Sequence, residues 1–266
     1  MGNFFKLIQN ENMKIYLRIR TWIMFGIIVI LPIIISLLVY GFSEDISMTN
    51  WTVMIMESYA LFFFITIFTV VIASETVAGE FSWGTIKLLL IRPWSRSTIL
   101  LSKYIAMILF ALVLTITTFI VCYLVNLAFF GSGDTIDVIL SNDESVWTYV
   151  LQYYLLKFVG LIMIVTFGFM MSAAFRSSGL AIALSISFLF AGNIITTIFA
   201  LAEKAWVKYV LFIHLDLTPY LSSDGETSLI PGHPTTLGFS LGVLAAYFII
   251  FNAISWIVFK KRDITA

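Results

Sequence analysis

A five-residue motif near the end of the chain is the first feature that suggests a chemical reaction. Residues 238–242 read Gly-Phe-Ser-Leu-Gly, and two histidines, His214 and His233, precede them. A G-x-S-x-G motif exposes a nucleophilic serine when a strand leads into it and a helix follows. Here Ser240 opens a long apolar run, where the small residues Gly238 and Gly242 favour close approach of a neighbouring helix instead. An intramembrane serine hydrolase is therefore only the alternative interpretation.

Other reactive groups are scarce in this chain. Cys122 is the single cysteine, which excludes a disulfide or a thiolate metal site within one chain. The sequence contains no G-x-x-x-x-G-K-S/T motif, so it offers no nucleotide site of that type. We predict no catalytic residue, no metal and no cofactor bound by this chain.

The longest charged interval lies between two strongly apolar runs. Residues 75–103 separate the run 59–73 from the run 104–130, and both runs lack Asp, Glu, Lys and Arg. The interval carries the cations Lys87, Arg92, Arg96 and Lys103. Because short loops rich in Lys and Arg stay on the cytoplasmic side, this interval is predicted to face the cytoplasm and to meet soluble partners there.

Apolar runs dominate the rest of the chain. Of its 266 residues, 61% are hydrophobic and 11% are charged, and the mean hydropathy is +1.03, far outside the range of a soluble domain. The predicted spans are residues 22–40, 59–78, 104–125, 155–175, 179–201 and 237–259. The sequence thus predicts an all-α membrane protein with six transmembrane helices and a single transmembrane domain, 1–266.

The distribution of basic residues predicts the orientation. Twelve of the 15 Lys and Arg residues fall on one side of these spans, and only Lys157, Lys204 and Lys208 fall on the other. This bias predicts that both termini are cytoplasmic.

Two segments outside the spans are predicted to contact membrane lipid. In residues 2–20 polar and basic side chains recur every three or four positions, which indicates a basic amphipathic helix in the interface or a positive flank that orients the first span. Residues 205–215 are too apolar for an open loop and predict a re-entrant or interfacial helix, with a flexible link at 222–234.

Charges inside the spans are few and shallow. Glu57 and Lys157 lie at matching depths near the outer rim of two different spans, so we predict an ion pair between them. The deeper polar residues are Ser, Thr and Asn, which helix packing explains. Proton or sodium coupling within the chain is therefore not expected, and an ion-coupled transporter is disfavoured.

Three stretches together resemble one family. Asn10-Glu11-Asn12-Met13-Lys14, the loop 79–87 (Gly-Glu-Phe-Ser-Trp-Gly-Thr-Ile-Lys) with Arg92-Pro93 and Ser95-Arg96, and the tail 259–264 are similar to bacterial type-2 ABC exporter permeases. The resemblance extends from end to end in size, number of spans and placement of the long last external loop.

The resemblance implies a role for each stretch. The loop between spans 2 and 3 would form a coupling helix seated in a cleft of an ATPase, with Gly84 freeing its entry and Pro93 ending it. Its alternative is an amphipathic loop that binds only lipid headgroups. The implied ATPase-coupling residues are Glu80, Phe81, Trp83, Gly84, Thr85, Lys87, Leu88, Arg92, Pro93 and Arg96. The N-terminal interfacial helix would use Glu11, Lys14, Arg18 and Arg20, and an outer gate, or else a simple anchor, would use Trp206, Tyr209 and Phe212.

The resemblance also implies partners. The chain would be the permease of an exporter in the bacterial plasma membrane, assembled with two cytoplasmic ABC ATPase subunits that hold ATP and Mg. A second permease copy or a related permease chain would complete the pathway, and no nucleic acid is involved. The expected substrate is an amphipathic peptide, an antibiotic or a lipid-like compound. The remaining alternative is a channel or scaffold subunit that needs no ATPase.

Overall fold

The computed structural model describes residues 2–42, 49–86, 94–133, 145–200, 205–221, 226–230 and 233–261. Within these ranges the chain is almost entirely helical. The helices are α1 (Gly2–Tyr16), α2 (Ile19–Phe42), α3 (Asn50–Thr76), α4 (Ala78–Ser82), α5 (Arg96–Phe130), α6 (Val146–Ala174), α7 (Ser178–Ala200) and α8 (Leu237–Lys261).

Six of these helices, α2, α3, α5, α6, α7 and α8, are long and apolar enough to cross a membrane. The predicted multi-pass membrane protein is therefore confirmed. Three of the helices begin well before the predicted spans, because Thr49, Ser95 and Ser145 each accept a hydrogen bond from the backbone N–H three residues later. A side-chain oxygen at this N-cap position satisfies an N–H group that has no partner within the helix.

Helix α3 lies at the centre of the bundle, in contact with α2, α5, α6 and α7. Leu61, Ile65 and Val70 on this helix are completely buried. In contrast, only 22%, 12% and 22% of the most apolar windows of α2, α7 and α8 are buried within the described bundle, as expected for helices that face lipid or another chain.

The bundle has two distinct ends. At the α1 end, α1 packs on α5, and the Ser172 hydroxyl of α6 accepts hydrogen bonds from the N–H groups of Val77 and Ala78, both 2.9 Å long. Ser82 joins α4 to the turn between α6 and α7, because its hydroxyl donates to the Arg176 carbonyl and accepts from the Ser178 N–H. The short helix α4 is thus held against three neighbouring elements.

The opposite end, the hairpin end, carries three 3₁₀ turns: Ala205–Tyr209, Leu211–His214 and Thr218–Leu221. The re-entrant or interfacial helix predicted over residues 205–215 is thus divided into two 3₁₀ turns, because Val210 adopts an extended conformation (φ −76°, ψ 125°) between them. Two glycines let these turns pack closely on the bundle. A Cβ on Gly160 would lie 2.1 Å from the Leu215 carbonyl oxygen, and one on Gly192 would lie 2.8 Å from the Phe212 ring.

Strand β1 (Glu226–Ile230) pairs with antiparallel strand β2 (His233–Thr236), and Thr227 lies opposite Thr235. Within the predicted link at 222–234, the described residues 226–230 and 233–234 belong to these paired strands, and the all-α prediction misses this hairpin. Threonine and isoleucine favour extended backbone, because their branched Cβ atoms pack well on a pleated surface.

Gly238 and Gly242 do not have the packing role that the sequence suggested. A Cβ on either residue would meet no atom within 4 Å among the described residues, apart from the backbone of α8 itself. Both positions lie on the open side of α8, so close helix approach there is not observed within the chain.

Candidate functional site

Seven charged side chains meet at the α1 end, and we call them the α1 cluster. Its members are Glu11, Lys14, Arg18, Arg20, Glu75, Glu80 and Lys103. They come from α1, the segment between α1 and α2, the start of α2, the end of α3, α4 and the first turns of α5. Four cations face three carboxylates, so the cluster carries a net charge of +1.

Lys103 and Lys14 bridge two carboxylates in the inner half of the cluster. The Lys103 Nζ lies 2.8 Å from Glu11 Oε2 and 2.9 Å from Glu80 Oε1. The Lys14 Nζ lies 2.8 Å from Glu11 Oε1 and 2.9 Å from the same Glu80 oxygen. The Lys103 side chain is only 2% exposed, so its two bonds are buried, whereas the Lys14 side chain is 38% exposed.

The outer half of the cluster is built around Glu75. Arg18 donates to this carboxylate at 2.9 Å, and Arg20 pairs with its other oxygen. The Arg18 guanidinium also lies 4.5 Å from the centre of the Trp83 ring, a cation–π contact. This contact ties the residue that follows α4 to the segment between α1 and α2.

The electrostatics hold the carboxylates in their charged form. Burial alone would raise the pKa of Glu80, but the Lys103 ammonium and hydrogen bonds from Thr85 and Lys14 lower that pKa to about 2. Burial would likewise raise the pKa of Glu11, and the ammonium groups of Lys103 and Lys14 lower it. Charge pairing therefore outweighs desolvation at both carboxyls.

The structure corrects part of the predicted coupling loop. Glu80 does not face outward, since it is 8% exposed and pairs with Lys103. Trp83 is 55% exposed, next to Gly84, whose positive φ of 71° favours glycine. Phe81 and Thr85 are half-buried, and Arg96 donates to the Lys260 carbonyl at 3.1 Å. The predicted coupling residues Lys87, Leu88, Arg92 and Pro93 lie outside the described residues.

The predicted N-terminal helix exists, and the structure adds partners that the sequence did not reveal. Leu7, Ile8 and Ile15 on α1 are buried, and Lys14 pairs with Glu80 on α4 as well as with Glu11 on its own helix. Lys103 and Glu75 were not assigned to a site. Their positions are the one sequence feature that could have indicated a site. Each is a charged residue at the edge of an apolar run, where leaving a charge unpaired costs free energy.

The predicted Glu57–Lys157 ion pair is wrong. Lys157 Nζ instead lies 2.8 Å from Asp216 Oδ2, in the segment between the 3₁₀ turns. Glu57 faces another side of α3, where its two oxygens lie 2.6 Å from Ser36 Oγ and 2.6 Å from Asn126 Nδ2. A similar depth in the membrane is not enough to predict an ion pair, because the two side chains must also point towards each other.

A cleft of about 490 Å³ opens beside the Lys157–Asp216 pair, between α3, α6, α7 and the 3₁₀ turns. Its walls are mostly apolar and aromatic, including Tyr59, Phe63 and Phe212. Of the three predicted gate residues, only Phe212 lines this cleft. Trp206 and Tyr209 are more than half exposed, and they contact the rings of Phe199 and Phe239, respectively.

The structure brings the motif serine to a histidine. Ser240 Oγ lies 2.7 Å from His214 Nδ1 and 2.6 Å from the Tyr220 hydroxyl, while His214 Nε2 lies 2.7 Å from the Lys208 carbonyl oxygen. The sequence predicts that His214 lies in an external loop; in the structure it ends the 3₁₀ turn Leu211–His214 and, like Ser240, is fully buried. Burial lowers the pKa of His214, which favours a neutral ring that donates to Lys208 and accepts from Ser240.

Comparison with known proteins places this chain in a family. Uncharacterized protein YhcI of Bacillus subtilis strain 168 is 36% identical over 97% of this chain and 98% of its own length. Uncharacterized membrane protein YdbK of the same organism is 33% identical over 74% of this chain and 76% of its own length. A family model described as "Protein of unknown function (DUF2705)" matches residues 29–265. The chain therefore belongs to the DUF2705 family.

Proposed function

We propose that this chain is the membrane-spanning subunit of an ATP-driven ABC exporter in the bacterial plasma membrane. The observation that carries the proposal is the α1 cluster, which binds α1, α4 and α5 together directly beside the exposed ring of Trp83. This geometry suits a subunit in which a conformational change at one end of the bundle is transmitted to the transmembrane helices. The resemblance of three sequence stretches to bacterial type-2 ABC exporter permeases suggests which kind of transporter subunit this would be.

The α1 cluster is suited to transmit a displacement because each of its carboxylates is largely buried and pairs with two cations. A displacement of α4 must move Glu80, and Glu80 is bonded to one lysine on α1 and to another on α5. Breaking such pairs exposes unpaired charges at high cost, so the three helices move as one body. In the proposal this end faces the cytoplasm, α1 lies in the interface, and the residues after Trp83 dock on the ATPase.

The energy source and the stoichiometry follow from the same proposal. The chain has no nucleotide-binding motif of its own, so two ATPase subunits would bind ATP and Mg. Two copies of the permease, or this chain with a related one, would enclose the pathway, and the exposed faces of α2, α7 and α8 offer surface for that contact.

The direct test is co-purification. The full chain, tagged and extracted from its native membrane in mild detergent, is expected to retain a soluble ATPase whose hydrolysis is measurable in the eluate. A chain that purifies alone and acts without nucleotide would instead support the channel or scaffold interpretation.

We expect Trp83→Asp to release the ATPase or to abolish its stimulation, while the spans remain folded. The change puts a carboxylate on the proposed docking surface and removes the ring that stacks on Arg18. A loss of at least tenfold in retained ATPase activity is expected, because a central aromatic anchor contributes about 2 kcal/mol or more. Trp206→Asp is the matched control, since both tryptophans are 55% exposed but lie at opposite ends. Equal retention in wild type and Trp83→Asp would contradict the docking role.

An intramembrane serine hydrolase is the second candidate, and the Ser240–His214 hydrogen bond is the observation that favours it. It ranks second because both groups are fully buried and Ser240 also bonds Tyr220. We expect Ser240→Ala to leave export intact and to leave labelling by a fluorophosphonate probe unchanged. Labelling of the wild type that disappears in Ser240→Ala would establish the hydrolase instead.

A further inference from the structure

We propose that the cleft beside the Lys157–Asp216 pair binds a hydrophobic organic cation. This inference rests on the proposed function, since the ligand of the cleft is taken to be the exported compound. The proposal narrows the expected substrate class from amphipathic compounds in general to compounds that carry a positive charge on an aromatic or aliphatic body.

The cleft has the size and the lining of a small-molecule site. Its volume of about 490 Å³ falls within the range of roughly 300–1,000 Å³ that is common for ligand pockets. Phe62, Phe63 and Phe212 supply aromatic wall, and Gly160 and Gly192 let Leu215 and Phe212 pack tightly at its edge. Polar groups are few, and among the described residues that line it only Lys157 and Asp216 are charged. An apolar body with a single charge is the ligand that such a surface fits.

Asp216 is the charge that an incoming ligand meets first. Its side chain is 47% exposed, whereas that of Lys157 is 13% exposed. Thr218 holds the carboxylate in place, since its N–H and its hydroxyl both donate to Oδ1, at 3.1 and 2.7 Å. Oδ2 accepts from Lys157, and a carboxylate oxygen can accept two hydrogen bonds. The exposed, fixed carboxylate therefore has capacity for a second cation.

The surrounding rings recognise the same kind of charge. The Lys157 ammonium lies 4.9 Å from the centre of the Tyr59 ring and 5.7 Å from that of Tyr153. Two aromatic faces and a carboxylate form the combination that binds organic ammonium ions in other proteins. Here the lysine of the chain itself occupies part of that site, while the Tyr59 residue remains 66% exposed to the approaching ligand.

The experiment compares two ions of equal shape and opposite charge, tetraphenylphosphonium and tetraphenylborate. Their saturable binding to the full chain is measured in nanodiscs of phosphatidylcholine. We expect tetraphenylphosphonium to bind at one site per chain, at least tenfold more weakly in Asp216→Asn, and several-fold more weakly in Tyr59→Leu. Tyr40→Leu is the control, since Tyr40 is 62% exposed on α2, away from the cleft.

Several outcomes would overturn the proposal. Saturable binding of tetraphenylborate that strengthens in Asp216→Asn would make Lys157 the binding charge and the ligand an anion. Equal, non-saturable uptake of both ions would show partition into lipid only. If Asp216→Asn fails to fold, the comparison of tetraphenylphosphonium binding by Tyr59→Leu and by Tyr40→Leu still tests the proposal. Because no ATPase takes part, failed co-purification would refute the exporter alone, and failed cation binding in a chain that retains its ATPase would refute only this substrate class.

Discussion

Replacing Lys103 by Met is expected to lower the free energy of unfolding by about 3–5 kcal/mol, the cost typical of removing one partner from a buried ion pair. The Lys103 side chain is 2% exposed and bonds two carboxylates, Glu11 and Glu80, on different helices. Without the ammonium, both carboxylates keep only Lys14 as a basic partner in the described cluster. Reversible unfolding in mixed detergent micelles, followed by circular dichroism, measures the change.

A neutralised variant separates charge from packing. In Lys103→Met/Glu11→Gln/Glu80→Gln the uncompensated carboxylates are gone, so most of the lost stability should return. Lys208→Met is the control for removing a lysine, because Lys208 is half-buried at the hairpin end. If the single and the neutralised variants are equally unstable, the methylene packing of Lys103 matters and its charge does not.

Stability is also expected to fall steeply in acid. The pKa of Glu80 is lowered from 4.5 to about 2 in the folded chain, so this carboxyl stabilises the fold fully above pH 4.5. That contribution disappears as the pH falls from 4.5 towards 2, because protonation then favours the unfolded chain. The difference corresponds to about 3 kcal/mol. Glu11 adds a loss of the same sign, since its pKa is also lowered.

The comparison for this prediction is Glu80→Gln. That variant is less stable than wild type at neutral pH, and its unfolding free energy should decline less between pH 5 and about pH 3. Parallel pH profiles for the two proteins would mean that Glu80 does not titrate in coupling with folding.

The spans could be predicted from the sequence because their signal is local. A run such as 104–130 has no charged residue, and a helix is the simplest element that satisfies its backbone in lipid. The helix starts were less visible. Asn50 and Arg96 begin helices although both are polar, because Thr49 and Ser95 cap them.

The α1 cluster could not be predicted in full, because its contacts join positions far apart in the chain. Glu11 and Lys14 were recognised as part of one helix, but nothing in their spacing pointed to Lys103. Glu57 and Lys157 show the same difficulty, because their depth was similar while their directions differed. The direction in which a side chain points depends on how its helix is rotated about its own axis. That rotation is set by packing contacts along the whole bundle rather than by the local sequence.

The α1 cluster has a consequence for the order of biosynthesis. Glu11 and Glu80 leave the ribosome before Lys103, so the cluster stays incomplete until the start of α5 has emerged. Until then two of its carboxylates have only Lys14 as a shared basic partner within the cluster. The pairing of α1 and α4 through this cluster can therefore be completed only after the start of the third span has been delivered.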